Sequence, residues 1–170
     1  MSGEVPYAGA LRALTHGWED VAAGDYALFL APHSFDWFAT FTFVDHIHPE
    51  AADKAFRVWI NKLNISLYGR KWRDREPQGV KWLRGLEWQK RGVLHYHVLI
   101  SGVRGAIASD WSDVWHVEMG MGFADIVLLN RDQEAVKAYV TKYVCKGGEL
   151  DFSRNFERES VVDWINALSA

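Results

Sequence analysis

Val80-Lys81-Trp82-Leu83-Arg84-Gly85-Leu86-Glu87-Trp88-Gln89-Lys90-Arg91-Gly92-Val93-Leu94-His95-Tyr96-His97-Val98-Leu99-Ile100 is the stretch that decides the fold. Two apolar runs, Val80 to Trp88 and Val93 to Ile100, flank Lys90-Arg91-Gly92. Runs rich in aliphatic and aromatic residues, parted by three residues ending in glycine, predict a β-hairpin. Such a loop needs a left-handed residue at its end, which Gly92 supplies without a Cβ penalty. With the turn centred on Arg91, Glu87 falls opposite His95 and Gly85 opposite His97. Side chains alternate along a strand, so His95 and His97 share one face. Directly opposed residues project from the same face, with Cβ atoms ~4.5–5.5 Å apart. Glu87, His95 and His97 therefore form a triangle of one carboxylate and two imidazoles, with the glycine leaving space beside it.

Outward from the hairpin, the pattern changes twice. Trp37-Phe38-Ala39-Thr40-Phe41-Thr42-Phe43-Val44 alternates Phe41 and Phe43 with Thr40 and Thr42, the period of a strand. Pro49 fits the first turn of a helix. Ala52, Phe56, Trp59, Ile60 and Leu63 then recur at helical spacing, predicting a helix to about Ser66 that ends near Gly69. Arg70 to Gly79 reads as a charged loop. Ser109 is placed to cap a short helix over Asp110 to His116, and Phe123 to Leu129 reads as a further strand. Asn130, with Gln133 three residues on, resembles a capping box. The helix it opens should stop at Gly147-Gly148. Strand, helix, hairpin, helix, strand, helix is the order of an α+β domain around an antiparallel sheet flanked by helices.

The chain is 170 residues long and 49% hydrophobic, enough for one domain with a sizeable core, and 24% charged, so wholesale disorder is excluded. The division expected is an N-terminal extension over 1–34, a main domain over 35–148, and a C-terminal tail with a short helix over 149–170. A single cysteine, Cys145, excludes a disulfide scaffold. Met1 to Ala10 lacks Lys and Arg, unlike a signal peptide, and no apolar run reaches the ~20 residues of a bilayer span. The expectation is a cytoplasmic protein with no membrane partner.

Two imidazoles and a carboxylate suit Mn²⁺ or Mg²⁺, with Zn²⁺ and Fe²⁺ as further options, and leave coordination positions open for substrate. The same residues also read as ordinary half-buried strand side chains, and the ligand types alone admit a facial-triad oxygenase. A cupin-type site fits less well, since the next acid after His97 is Asp110. The helix after Asn130 carries Tyr139 and Tyr143 four apart, with Lys142 and Lys146 beside them. A phenol titrates near ~10, so a nucleophilic tyrosine gains from neighbouring ammonium groups or a metal. The alternative is a helix that packs Val136, Tyr139, Val140 and Tyr143 into the core.

Three blocks in this order resemble the HUH endonuclease superfamily. Phe38-Ala39-Thr40-Phe41-Thr42-Phe43 resembles its first motif. His95-Tyr96-His97, with Glu87, resembles its metal motif, and Tyr139 to Lys146 resembles its nucleophile motif. The two tyrosines are similar to those of phage-type rolling-circle initiators. The resemblance implies a fold related to RNA-recognition domains and nicking of single-stranded DNA at a replication origin or element end, hairpinned ends included. It implies Tyr139 as first nucleophile, Tyr143 as second, Lys142 and Lys146 on phosphate, and a divalent metal on Glu87, His95 and His97. A transposase of the same superfamily, or a domain that holds single strands without cutting, would share these features. No helicase-type phosphate loop is present, so a host replication helicase is expected in trans.

The net charge of −3 argues mildly against a nucleic-acid partner until it is divided along the chain. Residues 54–91 hold eleven basic and three acidic residues, a local sum of +8, against −11 elsewhere. Arg70, Lys71, Arg73, Arg75, Lys81, Arg84, Lys90 and Arg91 alternate there with Trp72, Trp82 and Trp88. Cations for the backbone and rings for the bases are the equipment for binding single strands. Arg70 to Arg75 is also readable as a solvated loop over core tryptophans.

Overall fold

Alternate residues of Trp37–Thr42 are buried, and this six-residue segment is the central strand β1. Trp37, Ala39 and Phe41 are fully buried on one face. Phe38, Thr40 and Thr42 lie on the other. The computed structural model describes residues 33–129 and 149–156. The expected helix over 130–146, with Tyr139, Lys142, Tyr143, Cys145 and Lys146, lies outside them, as do a short helix around Tyr7 to Thr15 and the apolar stretch at Val161 to Leu168.

Helix α1, Pro49–Tyr68, starts with proline at its first position and His48 as N-cap, whose Nδ1 accepts from the Glu50 N–H. It ends at Gly69, φ 81°, whose N–H bonds the Ile65 carbonyl. Its stripe of Ala52, Phe56, Trp59, Ile60 and Leu63 is buried against the sheet. Phe41 meets Phe56, Trp59 and Trp115 edge-on, with ring centroids 5.6, 4.8 and 4.8 Å away. Asn64, also buried, accepts from the Val80 N–H at 2.8 Å and so fastens the helix to the strand that follows.

The hairpin forms as expected. Strand β2 is Lys81–Trp88 and β3 is Leu94–Ser101. Glu87 pairs with His95 and Gly85 with His97. Gly92 takes φ 70° and donates to the Gln89 carbonyl. A Cβ there would lie 2.9 Å from the His46 ring, so glycine is required twice over.

Beyond the hairpin, α2 spans Ala108–Asp113 and runs into a π-helical turn, Val114–Glu118. Ser109 does not cap it. The turn that bonds Ala106 N–H to the Val103 carbonyl starts the helix one residue earlier, with Ile107 in the cap position and no side-chain bond. Trp115 is fully buried and donates from Nε1 to the Thr42 carbonyl at 3.0 Å. Strand β4, Ala124–Leu128, pairs with β1. Glu149–Phe152, read from the sequence as the start of a polar tail, is strand β5 on the edge of β2. The sheet is antiparallel throughout in the order β4-β1-β3-β2-β5. One face carries α1 and the main core. The other carries a smaller apolar cluster of Phe35, Leu83, Leu99 and Phe156, and beside it the Glu87–His95–His97 surface.

Candidate functional site

Register builds this surface. Thr40, His97 and Gly85 form one row across β1, β3 and β2, and Thr42, His95 and Glu87 form the next. His97 is 8% exposed. Its Nε2 lies 2.7 Å from Glu87 Oε2, and its Nδ1 lies 3.3 Å from Thr40 Oγ1. The Phe38 ring lies nearly parallel to it, 12° off, at 6.1 Å. Polar partners on both nitrogens and a ring alongside fix the imidazole orientation. His95 Nδ1 lies 3.1 Å from Gln89 Nε2. Burial holds His95 below the ordinary histidine range, and His97 adds to this while Glu87 opposes it.

The three candidates thus share one face, in the register the loop length dictates. Their donor atoms do not converge on one point, because His97 is turned to Glu87 and His95 to Gln89. Among the described residues, no three His, Cys, Asp or Glu side chains are grouped to hold a metal ion. Thr40 and Gln89 were not singled out in the sequence. Thr40 could have been found from the alternation of β1, once β1 was paired with β3.

The proposed DNA-binding residues divide into three kinds. Arg70, Lys71, Arg73 and Arg75 are exposed on the loop after α1, which includes the short 3₁₀ turn Trp72–Asp74. Lys90 and Arg91 are exposed at the hairpin tip, beside the His95 end of the site. Lys81 is half-buried where β2 begins. Arg84 is different: it is buried on the helix side of the sheet, opposite to the Glu87 side. It pairs with Asp53 at 2.7 Å and Asp151 at 3.0 Å, and its guanidinium lies over the rings of Tyr96 and Phe56 at 4.3 and 4.7 Å. Those contacts withdraw it from any surface a strand could touch. Of the interleaved tryptophans, Trp82 is core, Trp72 half-buried and Trp88 half-exposed.

The described basic residues therefore form two groups, at opposite ends of β2. Eight residues at ~3.3 Å each put them about 23 Å apart.

Comparison with known proteins adds the family. The chain is 27% identical over 136 residues to the "Phasyl DNA replicon protein arp" of Escherichia coli, covering 66% of this chain and 44% of that protein. It thus spans less than half the length of that relative. No solved structure matches. No helix among the described residues is long and apolar enough to cross a membrane. The family model for the replication-associated proteins of the ORF2 type matches residues 36–148, about two thirds of the sequence and the whole span from β1 through the hairpin and beyond. The chain belongs to this family of replication-associated proteins.

Proposed function

We propose that this chain is a single-stranded DNA nicking and strand-joining enzyme of the HUH type, a sequence-specific rolling-circle replication initiator. The observation that carries the reading is the placement of Glu87, His95 and His97 on one sheet face, in a replication-associated family. Oxygen and nitrogen donors of this kind suit Mn²⁺ or Mg²⁺. Thr40 behind His97 is the kind of outer hydroxyl that orients a ligating ring. A His95 held below the usual range is neutral near pH 7 and has a lone pair to give. Glu87, His95 and His97 would hold the ion, which when bound supplies Lewis-acid polarisation of the scissile phosphate.

The remaining chemistry belongs to the chain. Lys142 and Lys146 favour the phenolate of Tyr139 and neutralise phosphate oxygens. The Tyr139 oxygen attacks phosphorus, having given up its proton. An O–P bond forms as the P–O3′ bond breaks, and the 3′ oxygen leaves as a hydroxyl after gaining a proton. One phosphodiester is exchanged for another, so the reversal joins strands without outside energy. Tyr143 serves for a second cut without dissociation. The DNA partner is a single strand at an origin or element end, with a host helicase unwinding in trans.

A labelled single-stranded origin oligonucleotide with Mn²⁺ tests the reading. The wild type should form a covalent protein–DNA adduct, and the Tyr139→Phe, Tyr143→Phe double variant should form none. An adduct that persists in the double variant would sink the tyrosine mechanism. Binding without adduct under every divalent ion would favour a silent single-strand-binding domain.

A further inference from the structure

A cavity of about 400 Å³ opens among α1, the loop after it and the residues following β5, and nothing above uses it. Its lining includes Arg57, Asn61, Trp72, Arg73 and Arg154, and contains no Asp or Glu. Arg57 is already engaged by Asp53 and Asp151, each at 2.8 Å. That leaves the exposed Arg73 and Arg154 to meet an anion. The aromatic wall is positioned in advance. Trp72 Nε1 donates to Asn61 Oδ1 at 3.2 Å, Arg73 Nη2 donates to the same oxygen at 3.1 Å, and the Arg73 guanidinium sits 4.2 Å over the Trp72 ring. Two cations and a fixed indole in a concave site match a phosphate and an unstacked base. The volume lies in the range of ligand pockets, roughly 300–1,000 Å³.

We infer that this pocket is a second subsite for single-stranded DNA, holding one nucleotide outside the cleavage site. The inference rests on the single-strand reading above, not on the nicking step. Trp82, which also lines the pocket, and Glu87 lie on opposite faces of β2, five residues or about 16 Å apart along the strand. One phosphate cannot occupy both places, so the pocket serves a flanking nucleotide. A duplex keeps its bases stacked inside and offers nothing for the pocket to take, whereas every single-stranded base has a free face. Arg154 was not visible as a candidate in the sequence. It lies 81 positions after Arg73, beyond a strand that the sequence did not announce.

The test is fluorescence anisotropy of the full chain with labelled (dT)12, which carries no origin sequence, over a range of salt. The Arg154→Ala, Arg73→Ala variant should bind about tenfold more weakly. Its salt slope should fall by about 1.4, at ~0.7 per phosphate contact on a single strand. Trp72→Ala should lose roughly tenfold with the slope unchanged, and Trp72→Phe should recover most of that loss. Arg154→Ala alone, at an exposed position, should already weaken binding and guards against misfolding as the cause. Wild-type affinity and slope in all these variants would overturn the subsite, as would no binding of (dT)12 by the wild type. Tight capture of free dTMP with no gain for (dT)12 would overturn the strand as occupant. Weakened binding in these variants by a chain that forms no adduct on any oligonucleotide would uphold the subsite and overturn the nicking reading alone.

Discussion

Arg84 shows how a residue's meaning changes between sequence and fold. In the sequence it is one cation in a basic run. In the structure it is buried, with carboxylates on two other elements and rings beneath it. Its partners lie 31 and 67 residues away, and no local pattern announces them. Arg84→Met keeps the volume and removes the charge. It should lower the melting temperature while leaving single-strand affinity within about twofold. The loss should fall short of the ~3–5 kcal/mol of a fully buried broken pair, because Asp53 and Asp151 remain partly solvated. Asp53 gives the pH dependence. Burial pushes its carboxyl up, but hydrogen bonds from Arg57 and Arg84 and their charges outweigh this, and it titrates below its usual 3.8. A carboxyl depressed in the folded state contributes stability fully above its unfolded pKa and loses it as pH falls through the folded one. Thermal melts should therefore drop below about pH 4, and Asp53→Asn, less stable at pH 7, should show a flatter acid limb. An equally steep limb in the variant would remove Asp53 from the explanation.

At the scale of elements, the hairpin was legible because its determinants are local. A loop ending in glycine fixes the register, and the register alone brings Glu87, His95 and His97 to one face. The α1 stripe was legible for the same reason. Strand β5 was not: Glu-Leu-Asp-Phe is short and half polar, and it becomes a strand only because β2 offers it an edge. Buried Leu83 and Phe156 reward that pairing on one face, and the Asp151–Arg84 contact rewards it on the other. Ser109 failed as a cap because a turn formed upstream of it decided where α2 begins. The hairpin carries its own prediction. Gly92→Val forces a branched residue to φ 70° against His46. It should cost about 1–2 kcal/mol or more, roughly 2–8 °C in melting temperature for a chain of this size. A melt indistinguishable from wild type would mean that the loop is not held in this conformation.

For the whole molecule, the +8 segment is the lesson. A sum over residues 54–91 is a sum along the chain, and folding rearranges it. Asp53, Asp151 and Glu118 all come from outside the segment to pair with Arg57, Arg84 and Lys62 inside it. The exposed cations that remain divide between the hairpin tip and the loop after α1. Chemistry and part of the binding surface adjoin at the tip, and the loop stands at the far end of β2. A strand that touches both must cross the molecule, which suits an enzyme that grips flanking sequence while acting on one phosphate. The account's central claim is that the shared face of Glu87, His95 and His97 supports strand cleavage. Its most direct test is adduct formation on single-stranded origin DNA, measured against Mn²⁺ concentration in the wild type and in Glu87→Ala, His95→Ala and His97→Ala. The account predicts adduct that rises with Mn²⁺ and vanishes with a chelator in the wild type. It predicts a loss of a hundredfold or more in each variant, with oligonucleotide binding retained. Adduct formed at the wild-type rate by all three variants would contradict it.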